Sequence, residues 1–387
     1  MSLQRKAAIT GIGETDYTKG SGMSDKALQL QAVERAIADA GLRRDEIDGL
    51  IPTPIGPGFT VEGFAENLGL KDLRFSVTVH FGGANGITGL QAAAMAVASG
   101  VANHVVVVSG RNGYSGAAKI STRPALPAAN FADTREFEGP FGATVPMHFY
   151  ALIARRHMHE YGTTSRHMGA VAVTMREHAL LNDKALMKKP INIEDHQASR
   201  PIVEPFRLLD CCIESDGAAA YLVSSAERAK DMPHKPAYVL GVAEGHPDSP
   251  TSVATRKQLL RTGVAMAAPR AYAMSGVKPS DIRSAFLYDP FTFLVISQLE
   301  SLGFCGPGEG GPFVESGAIR FGGKLPVNTH GGLHSQAHSM SAINHVAEAV
   351  KQLRGKAGRA QIAQPSPLVI TGNGDFGDGA VAILAND

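Results

Sequence analysis

The sequence predicts an α/β protein in which the second half of the chain repeats the first. The run of four valines at 105–108 has no polar alternation, which is typical of a strand covered on both faces in a parallel or mixed sheet. Segment 367–374 (Pro-Leu-Val-Ile-Thr-Gly-Asn-Gly) resembles segment 106–113 (Val-Val-Val-Ser-Gly-Arg-Asn-Gly). Further along, segment 378–384 resembles segment 216–223. Two resemblances in the same order indicate an internal duplication.

The duplication divides the chain into an N-terminal half, 1–233, and a C-terminal half, 234–387. The number of residues between the two equivalent segments differs greatly between the halves. Ser109 and Asp216 are 107 positions apart, whereas the corresponding residues of the second half are 7 apart. The first half therefore carries an insertion at about 111–215. An insertion of this size usually covers an active site or builds a ligand pocket.

The N-terminal elements follow from local patterns. Segment 7–13 (Ala-Ala-Ile-Thr-Gly-Ile-Gly) is predicted to be a buried strand that runs into a turn. Ser24 and Asp25 then begin an amphipathic helix over 26–40, which Gly41 ends.

The remaining core elements are two short strands and two unusual helices. The strands are expected near 48–51 and 75–79. The helices are expected at 85–99 and 339–353, and both carry small or apolar residues on more than one face. Because such helices have no clearly solvated side, we expect both in a central layer between sheets.

Composition excludes several classes of function. The chain has 387 residues, 44% of them hydrophobic, which is enough for a large core. Its 37 basic and 36 acidic residues give a net charge of +1, which provides no field for a nucleic acid or an anionic membrane. Three cysteines cannot form a disulfide framework, and no segment resembles a signal peptide or a membrane span. We therefore expect a soluble cytoplasmic protein.

The motif Asn-Thr-His-Gly-Gly-Leu-His-Ser-Gln-Ala-His at 328–338, in the second half of a duplicated α/β chain, resembles the thiolase superfamily. The resemblance is greatest to the sterol-carrier or lipid-transfer branch, including its thiolase-like aldolases. Four further segments carry it: 9–16, 208–219, 288–292 and 302–310. It implies the thiolase fold, a duplicated five-layer α/β/α/β/α core with two mixed sheets. It also implies an acyl-CoA substrate and a homodimer formed through an edge strand near 75–79.

The resemblance implies two catalytic cysteines, and this chain has neither of them. The family's nucleophile lies at the start of a helix, where this sequence has Gly83. The second family cysteine, an acid and base, lies in the loop at 371–379, which has no cysteine here. Backbone N–H groups at Gly83 and Gly374 could still stabilise an oxyanion. Cys211, Cys212 and Cys305 are interpreted as buried structural thiols.

Two side chains are the main catalytic candidates. The motif places His338 where thiolases use a histidine to hold the thioester oxygen. Tyr288 stands where most members have asparagine, and a phenol can donate to an oxyanion or act as a base. The related aldolases carry a second tyrosine in a Met-Tyr pair, but Met340 is followed here by Ser341.

Secondary candidates are Asn85, His330 and His334. The spacing of His330, His334 and His338 would align three ligands on a helix, but the two glycines at 331–332 argue against a regular helix, so no metal is expected. A dinucleotide fingerprint is absent, and coenzyme A is expected only as part of the substrate.

Three functions remain open from the sequence. The first is retro-aldol cleavage of a β-hydroxyacyl-CoA, in which a small zinc-ribbon/OB-fold acyl-CoA-binding protein is the implied partner. The second is an acetyl-CoA acetyltransferase-type thiolase that has recruited another nucleophile. The third is a non-catalytic subunit that binds lipid or acyl-CoA. For either enzyme, His338, Tyr288 and the backbone at Gly83 should converge on one pocket walled by the insertion.

Overall fold

The structure is a computed structural model that describes residues 2–53, 60–116, 134–248, 252–338, 341–374 and 377–386. Its strands are β1 (Ala7–Glu14), β2 (Gly49–Pro52), β3 (Phe75–Ser76), β4 (His104–Asn112), β5 (Pro201–Val203), β6 (Phe206–Arg207), β7 (Asp216–Ser225), β8 (Ala237–Gly245), β9 (Ser284–Phe286), β10 (Leu368–Asn373) and β11 (Gly379–Ala385).

The helices are α1 (Asp25–Asp39), α2 (Val61–Leu68), α3 (Asn85–Ala98), α4 (Pro146–Tyr161), α5 (Ser165–Ala179), α6 (Ile193–Ala198), α7 (Gly263–Ser275), α8 (Thr292–Ser301), α9 (Gly310–Glu315), α10 (Gly332–Ser335) and α11 (Ile343–Arg354). The predicted N-terminus of the first helix is confirmed, because the Ser24 side chain accepts the Ala27 N–H.

The strand pairings confirm the duplication. In the first half β1 pairs with β7, β7 with β4, and β4 with β2. The pairings β8–β11, β11–β10 and β10–β9 repeat this pattern, including the parallel last pair and the antiparallel others. The described fold is therefore built from two equivalent α/β units.

The two predicted sheets are joined into one of nine strands, in the order β3-β2-β4-β7-β1-β8-β11-β10-β9. The junction is short and involves only Ala8 with Tyr238 and Ile9 with Ala237. Strands β1 and β8 are the inner edges of the two units, so this pairing satisfies backbone groups that a separate sheet would leave open. Sequence patterns did not predict this junction.

Helices α3 and α11 lie between the two units, as predicted. Each contacts strands of both halves, and most of its residues are buried. Small residues permit this packing: a Cβ on Gly86 would lie 2.1 Å from the Ser341 carbonyl oxygen. Helix α11 begins at Ile343 rather than at 339, because Ser341 and Ala342 have left-handed backbone with φ of 63° and 55°. Positions 339–340 lie outside the described residues.

The region between β4 and β7 contains α4, α5, α6 and the small sheet of β5 and β6. Helix α5 packs on α8, α9 and α10 of the second half. Phe149, Met168 and Phe206 belong to the same buried cluster as Phe293. The insertion therefore covers the second half of the core. Within the described ranges, no helix is long and apolar enough to cross a lipid bilayer.

Candidate active site

The ring of Tyr288 occupies the space that a side chain at position 83 would need. Gly83 lies in the single 3₁₀ turn, Gly82–Ala84, that leads into α3. A Cβ at this position would lie 2.2 Å from both Cε1 and Cζ of Tyr288 and 2.4 Å from the Asn373 carbonyl oxygen. Both distances are far below van der Waals contact. A glycine is therefore required at 83, and a cysteine nucleophile does not fit beside this tyrosine.

The backbone of Tyr288 is fixed by polar side chains. Its N–H donates to Thr371 Oγ1 at 3.1 Å, and its carbonyl accepts from Gln298 Nε2 at 2.8 Å. The preceding residue, Leu287, is held on both its N–H and its carbonyl by the Asn328 amide, each at 2.7 Å. The loop after β9 thus presents Tyr288 at a defined position, with 7% of the residue exposed.

His338 lies next to Tyr288, with ring centroids 6.5 Å apart in an edge-to-face arrangement. Its backbone N–H donates to Ser215 Oγ at 3.0 Å, and its Nδ1 is 3.3 Å from Cys212 Sγ. Burial, reinforced by the positive charge of Arg111 and by neighbouring histidines, holds the pKa of His338 well below its usual range. The imidazole is therefore neutral at pH 7, and it can donate one hydrogen bond and accept another. Gly83 and His338 thus both lie beside the ring of Tyr288.

A buried histidine–aspartate pair beneath Tyr288 was missed by the sequence analysis. His345 Nε2 lies 3.0 Å from Asp289 Oδ1, and both side chains are fully buried. His345 Nδ1 faces Asn344 Oδ1 at 3.2 Å, since the Asn344 amide group donates to Gln336 and to the Ala337 carbonyl. The ring centroid of His345 is 6.4 Å from that of Tyr288. An oxygen atom therefore faces each of the two ring nitrogens of His345.

The expected role of Gly374 as a free backbone donor is wrong for this structure. Its N–H donates to the Asp378 carbonyl at 2.7 Å, and its own carbonyl accepts the hydroxyl of Tyr150. Tyr150 also accepts from Asn373 Nδ2 at 2.9 Å. The insertion therefore contacts Asn373 and Gly374 through Tyr150 on α4. Tyr150 is a further residue that sequence patterns did not reveal.

The secondary candidates, Asn85, His330 and His334, contribute to local structure and to packing. Asn85 Oδ1 accepts the Phe81 N–H at 2.5 Å and so shapes the turn before α3. His330 is fully buried against Phe286 and His345, and neither of its ring nitrogens bonds to a described residue. Burial lowers the pKa of His330 and of His334. No group of three or more potential ligands in the described part of the chain is arranged to hold a metal.

The three cysteines are free thiols. Burial raises the pKa of Cys212 and of Cys305 to about 12, and it raises that of Cys211 further. A thiolate is the nucleophilic form of cysteine, so none of the three is activated at neutral pH.

The contact between Gly83 and Tyr288 predicts coupled stability effects. Gly83→Ala should cost about 1–3 kcal/mol of unfolding free energy, because the added methyl group overlaps the Tyr288 ring. In a Tyr288→Ala background the cost should fall by about 1 kcal/mol or more, since the overlap with the Tyr288 ring is removed. Chemical denaturation of the four proteins measures this coupling. Gly63→Ala on α2 is the control, because a Cβ there would contact only Thr60 Oγ1, at 3.1 Å. Additive effects of the two substitutions would contradict the packing.

His330 predicts a loss of stability at acid pH. Below about pH 6.5 the unfolded chain binds a proton at this histidine and the folded protein does not, so the free energy of unfolding falls as the pH falls. Between pH 7.5 and pH 5.0, His330→Leu should lose about 2 kcal/mol less than the wild type. Denaturation at the two pH values measures the difference, with the exposed His159→Leu as the control. An unchanged pH dependence in His330→Leu would rule out a neutral buried His330.

Known proteins share both sequence and fold with this chain. Residues 245–386 match the family described as "Thiolase C-terminal domain-like". A steroid side-chain-cleaving aldolase of Thermomonospora curvata is 42% identical over 96% of this chain and 96% of its own length. The 17-hydroxy-3-oxo-4-pregnene-20-carboxyl-CoA lyase of Mycobacterium tuberculosis is also 42% identical, over 96% of this chain and 97% of its own.

A solved structure described as "Ltp2-ChsH2(DUF35) aldolase" has the same fold, with a TM-score of 0.91 and 41% sequence identity. The match covers 100% of this chain and 99% of that one. The chain therefore belongs to the thiolase superfamily, in its branch of thiolase-fold aldolases and CoA lyases, and is an enzyme of this lyase type rather than a conventional acyltransferase.

Proposed function

We propose that this enzyme cleaves the bond between the α and β carbons of a β-hydroxyacyl-CoA by a retro-aldol reaction. The observation that carries the proposal is the Tyr288 ring in the place of a nucleophile, beside a neutral His338. A retro-aldol reaction needs a group that takes the hydroxyl proton and a donor that stabilises an enolate. It needs no covalent intermediate, which suits a site where no side chain fits at position 83.

The roles follow from the positions of the two side chains. Tyr288 acts as a base in its phenolate form: it accepts the proton of the β-hydroxyl, and the electron pair of that O–H bond forms the new carbonyl. The α–β bond breaks, and its electrons pass to the thioester as an enolate. The N–H of His338 donates a hydrogen bond to the enolate oxygen. Tyr288 then gives its proton to the α carbon, which yields a shortened acyl-CoA and restores the phenolate. A group that stabilises such an oxyanion typically contributes about 3 kcal/mol of barrier lowering.

The substrate class is a CoA thioester with a steroid-like acyl group. Both relatives at 42% identity are named for steroid substrates, and one name contains a hydroxyl and a carboxyl-CoA group. Because the related solved structure is a complex with a DUF35 protein, we also propose a small zinc-ribbon/OB-fold partner that binds part of the acyl-CoA.

Turnover with defined substrates tests the proposal. The chain, alone and with its partner, should convert a β-hydroxyacyl-CoA into a carbonyl product and a shortened acyl-CoA in equal amounts, as measured by liquid chromatography and mass spectrometry. His338→Ala should lower kcat about a hundredfold, because the enolate loses its donor. Cys305→Ala is the control and should retain activity. CoA-dependent cleavage of a β-ketoacyl-CoA would indicate a thiolase, and no turnover of either substrate would indicate a binding subunit.

A homodimer is the proposed assembly of the chain itself. An open groove of about 770 Å³ lies beside the edge strand β3, and its lining includes Leu3, Phe75, Val77, Met95, Val101 and Met274. Met95 is 53% exposed and Val101 is 49% exposed, and both line this groove, so the groove presents a contiguous apolar surface to solvent. The edge of β3 also leaves backbone groups open to pairing with a second copy.

Light scattering tests this assembly. The wild type should be a dimer at micromolar concentration, and Met95→Lys should be a monomer because it places a charge in the apolar groove. Leu152→Lys is the matched control, since Leu152 is equally exposed at 54% but lies on α4, away from the groove. A monomeric wild type, or an equal effect of both substitutions, would contradict the proposed interface.

A further inference from the structure

Cys212 is held between the two loops that carry the candidate catalytic side chains. Its backbone N–H donates to the Pro290 carbonyl at 2.8 Å, two residues beyond Tyr288. The next residue, Ile213, donates to the Leu333 carbonyl at 3.1 Å, on the segment that leads to His338. The Cys212 side chain packs against Tyr288, Leu333 and Ala342. Its thiol therefore has a fixed position inside the site, although the retro-aldol steps do not use it.

The hydrogen bond between Cys212 and His338 has one favourable direction. The Sγ to Nδ1 distance is 3.3 Å. Burial raises the pKa of the Cys212 thiol to about 12 and holds that of His338 well below its usual range, so both groups are neutral at pH 7. A neutral sulfur is a weak acceptor, whereas an unprotonated imidazole nitrogen is a good one. The S–H group therefore donates to Nδ1.

A donor at Nδ1 determines where His338 carries its own proton. A neutral imidazole has one N–H, and a bond accepted at one ring nitrogen leaves the proton on the other. The remaining nitrogen of His338, Nε2, makes no hydrogen bond to any residue in the described ranges. Nε2 is therefore the atom available to a substrate.

We propose that Cys212 is a positioning residue that keeps His338 in the tautomer with its proton on Nε2, so that Nε2–H donates to the thioester oxygen of the substrate. The catalytic consequence rests on the proposed retro-aldol function, whereas the tautomer itself does not. In the other tautomer Nε2 would present a lone pair to the enolate oxygen and repel it. The thiol in this role stays protonated throughout and forms no covalent bond.

Two-bond ¹⁵N–¹H NMR correlation of protein labelled at histidine measures the tautomer directly. The chain has 14 histidines, so the His338 signals are assigned by their loss in His338→Gln. In the wild type at pH 7 we expect His338 to be protonated on Nε2. Cys212→Ala should give a mixture of the two tautomers, and Cys212→Ser, which restores a donor, should return the proton to Nε2. Protonation of wild-type His338 on Nδ1, or an unchanged tautomer in Cys212→Ala, would overturn the inference.

Kinetics with the β-hydroxyacyl-CoA substrate supply the second measurement. Cys212→Ala should lower kcat about tenfold with little change in KM, and Cys212→Ser should recover most of the loss. Cys211→Ala is the matched control, because the Cys211 thiol lies near the Arg207 carbonyl at 3.5 Å and not near His338. If Cys212→Ser lost as much activity as Cys212→Ala, the donor role would be wrong. If the wild type showed the Nε2–H tautomer but cleaved no substrate, the retro-aldol function would fail and the role of Cys212 in fixing the tautomer would stand.

Discussion

The structure of the site depends on the contact between the Tyr288 ring and Gly83. The loop after β9 and the turn before α3 come from different halves of the duplicated fold, and they approach each other where the two units meet. At this point only one of the two positions can carry a side chain. The second-half loop carries the phenol of Tyr288, and the first-half turn carries Gly83, which has no side chain. The space beside Gly83 in the first half is thus filled by a side chain of the second half.

The packing of a tyrosine ring against a glycine determines which chemistry the site can perform. A phenol cannot form the thioester that a cysteine forms, but it can exchange a proton with a hydroxyl group of the substrate. Cys212 is near His338, yet its thiol is protonated at neutral pH, so this pair differs from an activated cysteine–histidine pair. The arrangement therefore favours proton transfer and enolate stabilisation over acyl transfer.

Much of the architecture could be predicted from the sequence, because it depends on local patterns. The valine run, the repeated segments and the small-residue helices predicted the duplication and the central layer. The motif around His338 and the substitutions at positions 83 and 288 predicted which loops meet. The β1–β8 junction, the His345–Asp289 pair and the Tyr150 contact were missed, since each joins residues more than 50 positions apart without a local signal. The role of Gly374 was misjudged because the backbone conformation determines whether its N–H donates to the Asp378 carbonyl, and the sequence alone does not show this hydrogen bond.

The proposed reaction proceeds without an acyl-enzyme, and intact-protein mass spectrometry tests for such an intermediate directly. The purified chain, alone and with the proposed DUF35-type partner, would be mixed with acetyl-CoA and with a longer acyl-CoA and quenched in acid within seconds, and the mass of the intact protein would be measured. We expect the unmodified mass in every sample. An added acyl group that peptide mapping places on Cys212, or on another side chain beside Tyr288 and His338, would contradict a reaction without an acyl-enzyme.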